Sequence, residues 1–278
     1  IAIELLLLLL GAWMLARALS LPESRAVVFG RYRISHWSIS GHEAVLLALA
    51  IVLCGMIGQG LAVRVFSDLV AGSPDRTGLE VALYGLGFHG TALLGWPLFY
   101  FFRRRLQQDF GAEPPRLTRE HRLEPRALLK RSFVTLLLAL PALTLTSLGW
   151  TALLRALGFS DAPQDLIAIF GKVESPLVLI AMLFVACVVA PLNEELLFRG
   201  VIFRFCRQRF GRGIALVVSG MLFGALHGNL AGFVPLALLG AALAIAFEQS
   251  GDIRVPIIAH GLFNLNTTLV VLAGIPGT

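Results

Sequence analysis

Apolar residues occupy this chain in long blocks divided by short polar stretches, with neither strict alternation nor a one-sided helical stripe. The blocks fall at 1–16, 44–70, 79–102, 132–157, 175–197, 214–227, 233–247 and 253–273. Most approach the ~20 apolar residues an α-helix needs to cross a bilayer. Backbone groups inside hydrocarbon must bond within their own segment, so runs of this length predict helices and not an open sheet. The expected fold is all-α, a polytopic transmembrane helical bundle with about eight spans. The two shortest runs, 214–227 and 233–247, flank a turn at 228–232 and suit a tilted or re-entrant pair that lines a cavity.

Composition agrees with the pattern. Of 278 residues, 57% are hydrophobic and 14% charged, where a soluble domain carries about 25% charged; the mean hydropathy is +0.81. The formal net charge of +6 comes from arginines and lysines at the ends of apolar runs. That placement fits the anionic face of a bilayer and not nucleic acid, so membrane lipid is the partner it implies. Cys54, Cys187 and Cys206 lie far apart with no C-x-x-C spacing, which indicates neither a disulfide framework nor a thiolate metal site. Nothing in the composition sets an oligomeric state.

Basic residues also give an orientation, because cytoplasmic loops hold them in excess. Arg17, Arg25, Arg31 and Arg33 follow the first run, which reads as a membrane helix and not a cleaved leader. A second group runs from Arg103, Arg104 and Arg105 through Arg116, Arg119, Arg122 and Arg126 to Lys130 and Arg131, and a third comprises Arg204, Arg207, Arg209 and Arg212. The loops between hold only Arg64 and Arg76, then Arg155 and Lys172. Both termini are therefore expected outside the cytoplasm. Residues 1–174 form the N-terminal membrane helices, about four spans with a basic loop near 103–131. Residues 175–278 form a helical core within the same integrated membrane domain. A chain with almost no large loops suits a bacterial inner membrane.

Ionisable residues inside such runs are costly and call for a reason. Glu194 and Glu195 close the apolar run that begins near Ser175, with Pro191 expected to open or kink a helix before them. Glu195 and Arg199, four apart, can pair on one helix face, while Glu194 points about 100° away. Phe223 with His227, and His260 with Asn264, repeat the four-residue spacing. His260 and Asn264 could offer two donors to a developing oxyanion. If the runs either side of the 211–213 turn are helices, Glu194 and His227 lie roughly 27 Å and 22 Å from its centre, at similar depth.

These motifs, Glu194-Glu195-x-x-x-Arg199 with Phe198-Arg199-Gly200, Phe223-x-x-x-His227 and His260-x-x-x-Asn264, resemble in kind and order those of the type II CAAX prenyl endopeptidase and bacteriocin-processing family (CPBP or Abi). The likeness covers 175 to about 266. It implies an intramembrane endopeptidase acting on a lipidated or transmembrane peptide. Glu194 would be the general base for water, His227 would hold that water, and His260 with Asn264 would form the oxyanion hole. Glu195, Arg199 and Phe223 would support them. No cofactor is implied.

Other readings stay open beside this one. Glu194, His227 and His260 also match the ligand set of a hydrolytic zinc site, although no H-E-x-x-H is present. A noncatalytic bacteriocin-immunity or peptide-binding protein and a small proton-coupled transporter are rivals of other classes. Gln59, His89, Thr91, Thr144, Thr146, Ser147 and Ser219 read as helix-to-helix hydrogen bonders, His36, His42 and His121 as solvated, and Trp13, Trp96 and Trp150 as interfacial.

Overall fold

The structure is a computed structural model that describes residues 2–20, 34, 39–109, 122–162 and 169–274. Arg25, Arg31, Arg33, His36, Arg116, Arg119 and His121 lie outside the described residues. What is described is helical: α1 (Ala2–Ser20), α2 (Gly41–Ala71), α3 (Arg76–Ala92), α4 (Gly95–Asp109), α5 (Pro125–Ala156), α6 (Pro176–Phe210), α7 (Arg212–Leu226), α8 (Leu230–Ser250) and α9 (Arg254–Leu272). Six of these, α1, α2, α5, α6, α8 and α9, are long and apolar enough to cross a bilayer. The chain is thus a multi-pass helical membrane protein.

Two departures from the sequence pattern bear on the site. The third apolar block is not one helix. It breaks at Leu93–Leu94 into α3 and α4, and α4 begins where Gly95 lies against the backbone of Ile51 on α2; a Cβ there would stand 2.6 Å from the Ile51 Cα. Together α3 and α4 run back along α2, since Arg103 near the end of α4 pairs with Glu43 at the start of α2 at 2.6 Å. The second departure is α6, which continues through Pro191 to Phe210, well past the 197 expected.

Local signals explain most boundaries. Ser40 and Glu43 cap α2 reciprocally, the Ser40 hydroxyl accepting the Glu43 N–H and the Glu43 carboxylate accepting the Ser40 N–H. Pro125 and Pro176 open α5 and α6 at a position where a missing N–H costs nothing. Asn229 caps α8, accepting the Gly232 N–H at 2.6 Å. Gly211, at φ +81°, makes the turn between α6 and α7 that a side chain would strain.

Apolar side chains face both ways. Leu47, Ile51, Phe198, Val201, Phe223, Leu239 and Leu243 form the buried core, where α2, α6, α7 and α8 meet. Leu46, Leu49, Leu53, Met56 and Ile57 of α2 point outward, as lipid-facing residues do. Trp96 is half-buried, stacks on Tyr100 and packs against Gly200 of α6. Trp150 donates its indole N–H to the Leu230 carbonyl. His42 is exposed in the first turn of α2.

One end of the bundle holds a dense set of ion pairs. Glu248, fully buried at the end of α8, accepts from Arg207 of α6 at 2.6 Å and from Arg212 of α7 at 2.7 Å. Asp252 accepts from Arg254 and from the Leu123 N–H nearby. Neither acid stood out in the sequence, because a single carboxylate at the end of an apolar run looks like an interfacial residue. The two arginines fix the ends of α6, α7 and α8 at one level and thereby set the register of the residues deeper in the bundle.

Candidate active site

The geometry starts from Pro191. Having no N–H, it cannot bond the carbonyls a turn earlier. A π-helical turn at Val185–Val189 precedes it, in which the Ala190 N–H reaches back to the Val185 carbonyl. The Ala186 carbonyl therefore has no helical donor, because one candidate is committed elsewhere and the other is proline. Asn264 of α9 supplies one, from Nδ2 at 2.7 Å. Gly261 lies beside the next carbonyl so closely that a Cβ would stand 2.2 Å from the Cys187 oxygen. A break in one helix thus docks a second helix and sets the level of His260. Single-turn π-bulges of this kind are frequent at functional sites.

Beyond Pro191, α6 presents Asn193, Glu194, Glu195 and Arg199. Glu195 and Arg199 pair at 2.7 Å, both with no exposed surface, as their spacing predicted. The Glu195 Oε1 also accepts from His260 Nδ1 at 2.9 Å. Arg199 donates its other terminal nitrogen to the Gly240 carbonyl of α8 at 2.6 Å and lies over the Phe223 ring at 4.9 Å. Phe223 packs edge-on to His260 and beneath His227, with ring centres 5.4 Å and 4.9 Å away. His227, the last residue of α7's cap, donates Nδ1–H to the Phe223 carbonyl at 2.7 Å. Phe223 is therefore the apolar wedge against which the guanidinium and both imidazoles are set.

Glu194 is placed differently. Its Oε2 is buried, has no hydrogen-bond partner, and lies 3.9 Å from Nε2 of His260. That separation is too long for a direct hydrogen bond and is of the kind a water can bridge. Glu194, His227, His260 and Asn264 all line one cavity of about 530 Å³. Its other walls are mostly apolar, with Ile51, Phe88, Met182, Phe198, Leu236 and Phe263 among them. From the Arg207 end of α6, Glu194 lies roughly 20 Å along the helix.

Four of the sequence-selected residues thus share a cavity, and Glu195, Arg199 and Phe223 form the layer behind it. His260 and Asn264 each have one side-chain nitrogen already engaged, on Glu195 and Ala186 respectively. The cavity's polar lining also takes in Asn193, His89, Thr267 and Thr268, outside the chosen set. Nothing in a single apolar run distinguishes a histidine that bridges helices from one that faces a cavity, so His89 could be found only through the packing of α3 on α6. His89 also bridges helices, its Nδ1 3.4 Å from Asn193 Nδ2 of α6, and Thr91 does so by donating to the Cys54 carbonyl of α2 at 2.7 Å.

A zinc ion would need Glu194, His227 and His260 to converge on one point. Among the described residues no three His, Cys, Asp or Glu side chains are placed to hold a metal ion together. His260 and His227 turn their Nδ1 atoms to Glu195 and to a backbone carbonyl, which leaves both Nε2 atoms available. As placed, the donor set does not converge on one point and so does not fit the metal. The three cysteines are free.

Fold and site together define a multi-pass helical membrane protein with a carboxylate-and-imidazole cavity inside the bundle. Comparison with known proteins gives a match over one third of the chain: residues 176–266 match the family described as Type II CAAX prenyl endopeptidase Rce1-like. The stretch holds every one of the residues selected from the sequence. The chain is similar to a Bacillus subtilis (strain 168) protein named "Putative membrane peptidase YdiL", 30% identical over 91 residues, 33% of this chain and 36% of that protein. It is also similar to an "Uncharacterized 24.3 kDa protein" of Escherichia coli, 31% identical over 97 residues, 33% of this chain and 44% of that protein. The chain therefore matches less than half the length of either relative. No solved structure matches.

Proposed function

We propose that this protein is an intramembrane endopeptidase that hydrolyses a peptide bond in a lipidated or membrane-embedded peptide, in a bacterial inner membrane. The observation that carries the reading is the unpartnered, buried Oε2 of Glu194 facing His260 across 3.9 Å in a cavity shared with His227 and Asn264. Glu194 takes a proton from a water held between the walls, and His227, fixed by the Phe223 carbonyl, holds that water from the α7 side. The hydroxide adds to the scissile carbonyl. The oxyanion receives donors from α9: the second Nδ2 proton of Asn264, and His260, whose ring Glu195 holds through Nδ1. Glu194 then returns its proton to the leaving amine as the tetrahedral intermediate collapses. Apolar walls keep bulk water from competing with these donors.

The bundle crosses the membrane eight times in this reading, α3 and α4 making one interrupted traverse and the 15-residue α7 a short one. The arginine-rich end, with Arg103, Arg207 and Arg212, is cytoplasmic. The cavity then lies in the outer half of the bilayer.

Purified protein in lipid nanodiscs, given labelled transmembrane and lipidated peptides, tests the activity. Cleavage by the wild-type protein and its loss in Glu194→Ala are expected; undiminished cleavage by Glu194→Ala refutes the reading. Stoichiometric zinc in an active preparation, with activity lost on chelation and regained on refilling, would overturn the metal-free route.

A further inference from the structure

The family match begins at residue 176 and leaves out α3, yet α3 contributes His89 to the cavity wall. His89 Nδ1 lies 3.4 Å from Nδ2 of Asn193, the residue immediately before Glu194. Asn193 is 3% exposed, and its Oδ1 has no hydrogen-bond partner. Which end of a side-chain amide points where is decided by the hydrogen-bond network around it. Either way round, the Asn193 amide engages His89 Nδ1, and Nε2 is the ring nitrogen left for the cavity that His89 lines. An imidazole with its proton on Nδ1 keeps a lone pair on Nε2. The ring of Phe88 packs edge-on to it at 5.1 Å and limits its tilt.

With Oδ1 toward His89, the pair offers the cavity one acceptor, Nε2. A peptide N–H is its complement. A peptide drawn among Ile51, Val81, Phe88 and Met182 meets apolar walls, where an unmet backbone N–H or C=O is costly. Glu194, His227, His260 and Asn264 are committed to water and to the oxyanion, and the remaining polar lining is Asn193, His89, Thr267 and Thr268. On the α3 wall, His89 is the group placed to accept a substrate N–H.

We propose that His89, its ring set by Asn193, forms a backbone-binding subsite for the substrate, Nε2 accepting one peptide N–H near the scissile bond. The identity of the ligand as a peptide rests on the protease reading, but the subsite is detected by binding and needs no turnover.

The test uses full-length Glu194→Gln protein in nanodiscs and a fluorescent transmembrane peptide, together with depsipeptide versions in which an ester replaces one amide at a time around the centre. One ester position is expected to weaken binding about tenfold, the worth of one hydrogen bond. Adding His89→Phe should weaken the all-amide peptide by a similar factor and abolish the sensitivity to that ester. His89→Gln, which keeps an acceptor, should stay within about threefold of the parent, which separates loss of the acceptor from misfolding. Equal binding by the parent and His89→Phe, ester sensitivity that survives His89→Phe, or no binding of any peptide overturns the proposal. With Glu194 restored, His89→Phe is expected to raise KM and leave kcat within about threefold. Cleavage that persists in Glu194→Ala would refute the protease reading while leaving the binding result standing.

Discussion

Replacing Arg199 by methionine tests whether the buried layer behind the cavity holds the site together. Methionine keeps much of the length and apolar bulk, so the perturbation is chiefly the loss of the cation. Glu195, with no exposed surface, then retains a carboxylate whose remaining partner is His260. Removing one member of a buried pair costs about 3–5 kcal/mol, because the other charge stays desolvated and uncompensated. The lost donor to the Gly240 carbonyl and the lost contact with Phe223 belong to the same network and are not added on top. The expected loss corresponds to about two to four powers of ten in the unfolding equilibrium. Reversible unfolding in mixed micelles by added SDS, followed by tryptophan fluorescence, reads it. The companion variant Arg199→Met with Glu195→Leu removes both charges and should recover at least about half of the loss, since apolar replacements of buried pairs are tolerated. It should still cleave poorly, because His260 loses the carboxylate that fixes its Nδ1. Stability of Arg199→Met within about 1 kcal/mol of wild type, or a double variant no more stable than the single, would refute the reasoning.

Glu194→Gln is expected to lower cleavage by about 10²–10⁴-fold while leaving stability equal or higher, because the carboxylate it neutralises has no partner on Oε2; peptide cleavage and SDS unfolding read the two effects. Gly261→Ala should destabilise by about 1–3 kcal/mol, since its Cβ would meet the Cys187 carbonyl at 2.2 Å; the control Gly60→Ala, with open space around its Cβ, should be neutral or stabilising by up to about 1 kcal/mol, and equal behaviour of the two would count against the docking role of α9. Asn264→Leu should cost about 1–3 kcal/mol by leaving the Ala186 carbonyl unpartnered, beyond any effect on cleavage. Asp252, in the turn between α8 and α9, is pushed up by burial but held below the usual carboxylate range by Arg254 and by the N–H groups of Leu123 and Arg254. Its folded pKa is depressed, so its contribution is complete above the ordinary aspartate value near 4 and fades as pH falls through the lower folded value. Unfolding of wild type and Asp252→Asn between neutral and acid pH should converge at the acid end, and a constant gap would contradict this.

Chain-local physics made much of this protein legible. Apolar runs in hydrocarbon can satisfy their backbones only as helices, so the all-α membrane bundle followed from the pattern of residues. Spacing put Glu195 next to Arg199, because residues four apart share a helix face wherever the helix goes. Helical rise from the Gly211 turn placed Glu194 and His227 at similar depth, and both line one cavity. Pro191 marked a disturbance, yet what it did to α6 was not readable: a proline can end, kink or bulge a helix, and the π-helical turn that carries α6 on to Phe210 depends on Asn264 and Gly261 arriving from α9.

What only the tertiary structure decided is which helices are neighbours. The break between α3 and α4 comes from the contact of Gly95 with α2, the burial of Glu248 from two arginines on other helices, and the place of His89 from the packing of α3 on α6. Each depends on side chains distant in sequence. Periodicity and spacing report a residue's surroundings only along its own helix, and the lipid-facing and cavity-facing sides of these helices are built from the same apolar residue types. The sequence by itself determined the helices and the local pairs upon them. Interhelical packing then determined which of the polar groups meet.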